Sequence, residues 1–154
     1  MDDRIELLKE LATQFRDAIE SAKKAGERKE DFFFHIFPRG CCGDASDLLA
    51  YFFASKGIYS KYICGTWWNY DTADSQSHAW LLVDDKVVVD ITGDQFQDEE
   101  IFLNYNKRVY IGHGDAFHDL FEVDPHDIRD YKGYSILDHR QYAIYCSIIK
   151  YIER

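Results

Sequence analysis

Residues 77–92 read SHAWLLVDDKVVVDIT, and the fold turns on how this stretch is read. Residues 77–83 and 86–92 are rich in β-branched and aromatic side chains and are separated by Asp84-Asp85, the pattern of two strands joined by a tight connection. Both runs are apolar on both faces, as expected of central strands that are covered on each side. Side chains alternate across a strand, so the register decides which residues meet. A two-residue turn at Asp84-Asp85 pairs Val83 with Lys86 and sets His78 against Ile91, which leaves His78 and Asp90 on opposite faces. A loop of odd length, such as Val83-Asp84-Asp85, pairs Leu82 with Lys86 and brings His78 directly opposite Asp90; a bulge serves equally well. One or the other is expected.

Upstream, residues 58–64 read as a further strand, and 65–76 as a polar loop that carries Trp67, Trp68 and Tyr70. A helix is expected over 43–55, with Asp44 or Ser46 as its cap. Leu48, Leu49, Phe52 and Phe53 form its buried stripe, and Gly57 stops it. The first helix covers about 5–22, where Ile5, Leu8, Leu11, Ala12, Phe15, Ile19 and Ala22 repeat at the three-and-four spacing of one face. Glu6 and Glu10 early and Lys23 and Lys24 late suit its dipole, and Gly26 can end it. Between these helices, the aromatic run 32–37 is broken by Pro38-Arg39-Gly40. Downstream, 99–105 predicts a short helix, 108–112 a short strand, 114–134 an Asp- and His-rich loop with helical turns, and 137–151 a final helix. No repeat or dividing linker is visible. The expectation is one α+β domain over residues 1–154, an antiparallel sheet packed against helices.

Composition narrows the function. An apolar fraction of 46% with 11 Phe, 11 Tyr and 3 Trp supplies a sizeable core and excludes a disordered chain. With 18 basic against 28 acidic residues, the net charge of −10 repels phosphate backbones and anionic lipid, so neither nucleic-acid nor membrane-surface binding is expected. No stretch of about 18 apolar residues and no secretion signal are visible, which points to a cytoplasmic protein. The cysteines Cys41, Cys42, Cys64 and Cys146 then read as reduced thiols rather than a disulfide framework.

Cys42 lies where a loop turns into a buried helix. Free N–H groups at a helix N-terminus favour the thiolate, the reactive form of cysteine. The flanking Gly40 and Gly43 let a substrate backbone come close. His78 on a rigid strand is a candidate base, and Asp90 near the end of the next strand a candidate for fixing its tautomer. Nucleophile, base and orienting acid then follow in chain order Cys, His, Asp.

The segments Gly40-Cys41-Cys42-Gly43-Asp44, His78-Ala79-Trp80 and Asp90-Ile91-Thr92 resemble the transglutaminase-like branch of the papain-like cysteine proteases and acyltransferases. The likeness spans roughly residues 36 to 96, about two-fifths of the chain. It implies a transglutaminase-like (papain-like) fold with the catalytic cysteine at a helix N-terminus. It also implies Cys42 as nucleophile, His78 as base and Asp90 as orienting acid, in a cysteine peptidase, amidase or acyltransferase that needs no cofactor or metal. Its substrate would be a peptide, protein or small amide. The adjacent Cys41 leaves the nucleophile's identity open, with Cys42 preferred because it stands directly against Gly43-Asp44. No glutamine precedes the cysteine closely, where papain-type enzymes keep an oxyanion donor; the Cys42 N–H can supply one donor, and Gln76 or Trp67 a second. Trp67 and Trp68 can line a substrate cleft.

Each residue also has a plainer reading. Free cysteine is usually a buried apolar filler, His78 can be a core histidine satisfied by backbone, and Asp90 can cap the turn before Gly93. Asp94 competes for the orienting role, and Trp80 reads as core. The segment His113, Asp115, His118, Asp119, Asp124, His126 and Asp127 offers metal-type ligands but matches no zinc spacing, so a solvated acidic surface is the expectation. The alternative to an enzyme is a catalytically inactive acidic module on the same fold that sequesters a basic protein partner.

Overall fold

The computed structural model describes residues 3–131 and 137–152. Helix α1 (Asp3–Lys24) buries Leu8, Phe15 and Ile19 and ends before Gly26, whose φ of +79° lies in the left-handed region. The run at 32–37 forms a short helix, α2 (Phe32–Ile36), capped by the Asp31 carboxylate on the Phe33 N–H at 2.9 Å. Helix α3 (Cys42–Ser55) begins one residue earlier than expected, and neither Asp44 nor Ser46 caps it. Asp44 is drawn away to Arg140 at 3.0 Å and Gln141 at 3.1 Å, both on helix α4 (His139–Ile149), and Ser46 is buried.

The strands are β1 (Ser60–Asn69), β2 (Asp74–Val83), β3 (Val87–Asp90), β4 (Tyr110–Gly112), β5 (Glu122–Val123) and β6 (Arg129–Tyr131). They form one antiparallel sheet in the order β4-β3-β2-β1-β5, with β6 paired to another part of β1. The expected polar loop at 65–76 is instead the far half of a long hairpin: β1 and β2 pair from Ser60↔Val83 to Asn69↔Asp74, leaving only 70–73 as loop.

At the β2–β3 connection the Lys86 N–H closes on Val83 O at 3.2 Å, and Asp84 and Asp85 both take φ of +56°. The ladder resumes at Val83↔Val87, so Lys86 is the extra residue and the loop is of odd length, as expected. The expected pairing is corrected by two residues: Leu82 faces Val88 rather than Lys86. Carried on, the observed register sets Trp80 opposite Asp90, and His78 meets Asp90 diagonally on the same face.

One face of the sheet, with Leu81, Val83 and Val89, packs on α1, α3 and α4; Phe15 stacks on Phe52 with ring centroids 5.1 Å apart. The other face, with Ile63, Trp80 and Val88, is covered by Phe96, Phe117 and Phe121 from the irregular segment after β3. Trp80 is thus core, as expected. That segment holds short 3-10 turns at Gly93–Phe96, Glu100–Phe102, His118–Leu120 and Pro125–Asp127. Arg16 ties it to α1: its buried guanidinium donates to Ile91 O at 2.6 Å and to both oxygens of Asp94 at 2.8 Å. No helix among the described residues is long and apolar enough to cross a membrane. The 132–134 end of the expected loop lies outside the described residues.

Candidate active site

β2 is ten residues long and β3 only four, so the chain after Asp90 leaves the sheet and opens the edge of β2 beside His78 and Ala79. The N-terminus of α3 enters this opening. Cys42, half-buried, is the first residue of α3, where N–H groups have no intrahelical acceptor and no side chain caps the end. Gly40, at φ +62°, turns the chain into the helix, and its N–H donates to Gln95 Oε1 at 3.3 Å.

His78 is buried completely. Its Nε2 lies 2.7 Å from Asp90 Oδ2, and its Nδ1 lies 3.5 Å from the Gln95 amide nitrogen. Gly65, the partner of His78 on β1, makes room for Phe121: a Cβ there would sit 2.7 Å from the Phe121 Cβ. Phe96, Phe117 and Phe121 wall the ring, with centroids 5.1 to 5.6 Å away. Asp90 Oδ1 accepts the Thr92 N–H at 2.9 Å, so both carboxylate oxygens are held.

The electrostatics of these groups follow from this arrangement. Burial would raise the Cys42 thiol, but hydrogen bonding to His78, the attraction of the imidazolium and the Ala79 N–H outweigh it and hold the thiol below its ordinary value. Burial would likewise depress His78; the Asp90 charge, its hydrogen bond and Cys42 instead push it up to about 9. Asp90, despite its burial, is held well below the usual carboxylate range by the two histidines that donate to it. These shifts favour a thiolate facing an imidazolium over a neutral thiol facing a neutral ring. Cys41 behaves in the opposite way: it is fully buried, its sulfur faces Phe33 O at 3.5 Å, and burial pushes its thiol up to about 12. Of the adjacent pair, Cys42 is the one whose thiol is held low.

The other candidates separate. Gln76 lines a cleft of about 370 Å³ with Arg39, Gly40, Gln95 and Glu99 beside His78. Trp67 is half-buried against Phe102, with ring centroids 5.3 Å apart. Trp68 points to the opposite face and lines a groove of about 430 Å³ with Thr66, Glu122, Asp124 and Asp127. Asp94, the competing carboxylate, is engaged by Arg16.

Two residues with a place in the site were read as acidic surface. His118 Nε2 lies 2.7 Å from the same Asp90 oxygen that serves His78, and its Nδ1 lies 2.6 Å from Asp115 Oδ1. Asp115 also accepts the Tyr105 hydroxyl at 2.7 Å. The sequence signal was the three-residue spacing of Asp115 and His118, which suits a carboxylate that bonds both the backbone N–H and the ring of the histidine after it. Ligand-type atoms of His78, Asp90 and His118 lie within 4.8 Å of one another, a spacing a divalent cation can span, but two direct N–H···O hydrogen bonds already account for it. The remaining histidines and acids of that segment go elsewhere: His113 contacts Lys86 O at 3.2 Å, and Asp124 caps the turn at Pro125–Asp127.

No protein-family model, curated protein or solved structure matches the chain.

Proposed function

We propose that the protein is a thiol hydrolase or acyltransferase of transglutaminase-like, papain-related type, acting on the amide or ester carbonyl of a peptide, protein or small amide. The observation that carries this reading is the fully buried His78, which joins Cys42 to Asp90 with the thiol held low and the imidazole held high. Such a pair presents a thiolate and an acid at the same pH.

In this mechanism the Cys42 thiolate attacks the carbonyl carbon, the C–S bond forms, and the electron pair moves to the carbonyl oxygen. Collapse of the tetrahedral species breaks the bond to the leaving amine or alcohol as His78 gives it a proton. Water or an amine then attacks the thioester, His78 takes its proton, and the thiolate is restored. Asp90 holds the ring in the orientation that leaves Nδ1 facing the sulfur. The free N–H groups at the start of α3 and the Gln95 amide beside His78 are donors within reach of this region for a developing oxyanion.

An activated acyl ester tests the reading. Acid quenching during turnover, followed by mass spectrometry, is expected to find one acyl group on Cys42, and none on the Cys42→Ser protein. Absence of a Cys42 adduct under single-turnover conditions would leave a scaffold with no acyl chemistry.

A further inference from the structure

Asp90 serves two histidines through one oxygen. We propose that His118 is a positioning residue of the thiol site, which shares Asp90 Oδ2 with His78, orients that carboxylate and moderates the charge that His78 meets. The inference rests on the reading of Cys42, His78 and Asp90 as a catalytic relay.

The geometry leaves Asp90 no other freedom. Its Oδ1 is held by the Thr92 N–H at 2.9 Å, and Oδ2 is divided between two Nε2 atoms, each at 2.7 Å, among groups that are all buried. An oxygen divided between two donors stabilises each less than it would stabilise one alone. The opposite side of His118 is fixed as well, because Asp115 Oδ1 accepts both its backbone N–H at 2.9 Å and its ring at 2.6 Å. His118 thus bridges two carboxylates, one at each ring nitrogen.

The rings of Trp80, Phe117 and Tyr110 hold the His118 plane, with centroids 4.9, 5.0 and 5.2 Å away. The titratable and charged groups facing it are His78 from β2, Asp90 from β3, Tyr110 from β4, and Tyr105 and Asp115 from the irregular segment; Lys107 lies over the Tyr105 and Tyr110 rings. Of these, Asp90 is the group that hydrogen-bonds both histidines, so it carries the influence of one to the other. With His118 gone, Asp90 Oδ2 answers to His78 alone and the imidazolium is held more tightly. An acid that grips its proton too firmly protonates a leaving group slowly.

The test follows the His78 ring by nitrogen-15 NMR across pH in the unmodified protein, in His118→Gln and in His118→Asn. The glutamine amide can still donate to Asp90, whereas the asparagine amide is too short to reach it. In folded His118→Asn the loss of the His78 proton is expected to move up by about one pH unit, and the alkaline limb of acyl transfer to move with it, while His118→Gln stays near the unmodified protein. A folded His118→Asn whose His78 titrates as in the unmodified protein overturns the proposal. Should that variant fail to fold, the His118 ring in the unmodified protein decides: an Nε2 proton shared with Asp90 supports the role, and a bare Nε2 overturns it. Cys42 reactivity measured alongside keeps the two ideas apart. An ordinary thiol with a shifted His78 sinks the enzyme and upholds His118's hold on Asp90, whereas a reactive thiol with an unmoved His78 sinks only the role of His118.

Discussion

At Asp90 a single carboxylate meets two histidines through one oxygen. It is buried, holds both oxygens in hydrogen bonds and keeps His78 charged against a strong desolvation cost. Asp90→Asn removes that charge while keeping an oxygen and the shape. His78 is then expected to fall from about 9 towards its ordinary 6.5, and turnover to drop by about 10³-fold or more, in line with loss of the orienting acid in other triads. Steady-state rates across pH check both; an alkaline limb that stays in place would remove Asp90 from the relay. At this scale the sequence was legible for Cys42, His78 and Asp90, because their motifs are local and each lies at an element boundary. His118 was not legible as a site residue: its partner Asp90 lies 28 positions upstream, and nothing local distinguishes it from the acidic loop around it.

Among the elements, the helices and the β2–β3 hairpin follow from periodicity, and the odd-length connection follows from the need to put His78 and Asp90 on one face. The far half of the β1–β2 hairpin was hidden because Gly65, Thr66, Asn69 and Asp74 look like loop residues. Its reason is visible only in three dimensions, where Gly65 lets Phe121 approach so that His78 can be enclosed. Cap prediction at α3 failed for a comparable reason: Asp44 finds Arg140, 96 positions away, rather than its own helix end. The strongest tie between elements is Arg16, 2% exposed, which joins α1 to the turn after Asp90. Arg16→Met leaves Asp94 without its partner and the Ile91 carbonyl without its donor. A loss of about 3–5 kcal/mol is expected in urea unfolding, as for other broken buried pairs. A loss below about 1 kcal/mol would show that the turn holds itself.

For the whole molecule, the thiol pair leaves a trace in stability. His78 is raised on folding from 6.5 to about 9, so its contribution is complete below pH 6.5 and is lost as pH rises through 9. Cys42 works in the opposite direction. Its folded value lies below 9.0, so its contribution grows as pH rises towards the unfolded thiol's value. Where the folded thiol has lost its proton and the imidazole, up to about 9, still holds its own, the two slopes offset. Cys42→Ser removes one of them. Its stability is expected to fall more steeply over this window than that of the unmodified protein, by up to about 1.4 kcal/mol per pH unit. Urea midpoints at several pH values read the difference; parallel curves would mean that the two groups do not share a proton balance.

The central claim is that one sulfur of the four is a thiolate at the pH where the neighbouring imidazole is still charged. Brief alkylation with iodoacetamide between pH 5 and 9, with each cysteine quantified by peptide mass spectrometry, measures this directly. Cys42 is expected to react well below its ordinary value of 9.0 and to lose that advantage in His78→Ala, while Cys41, pushed up to about 12, stays unmodified throughout. Alkylation of Cys42 that rises only near pH 9, or that is indifferent to His78, would contradict the account.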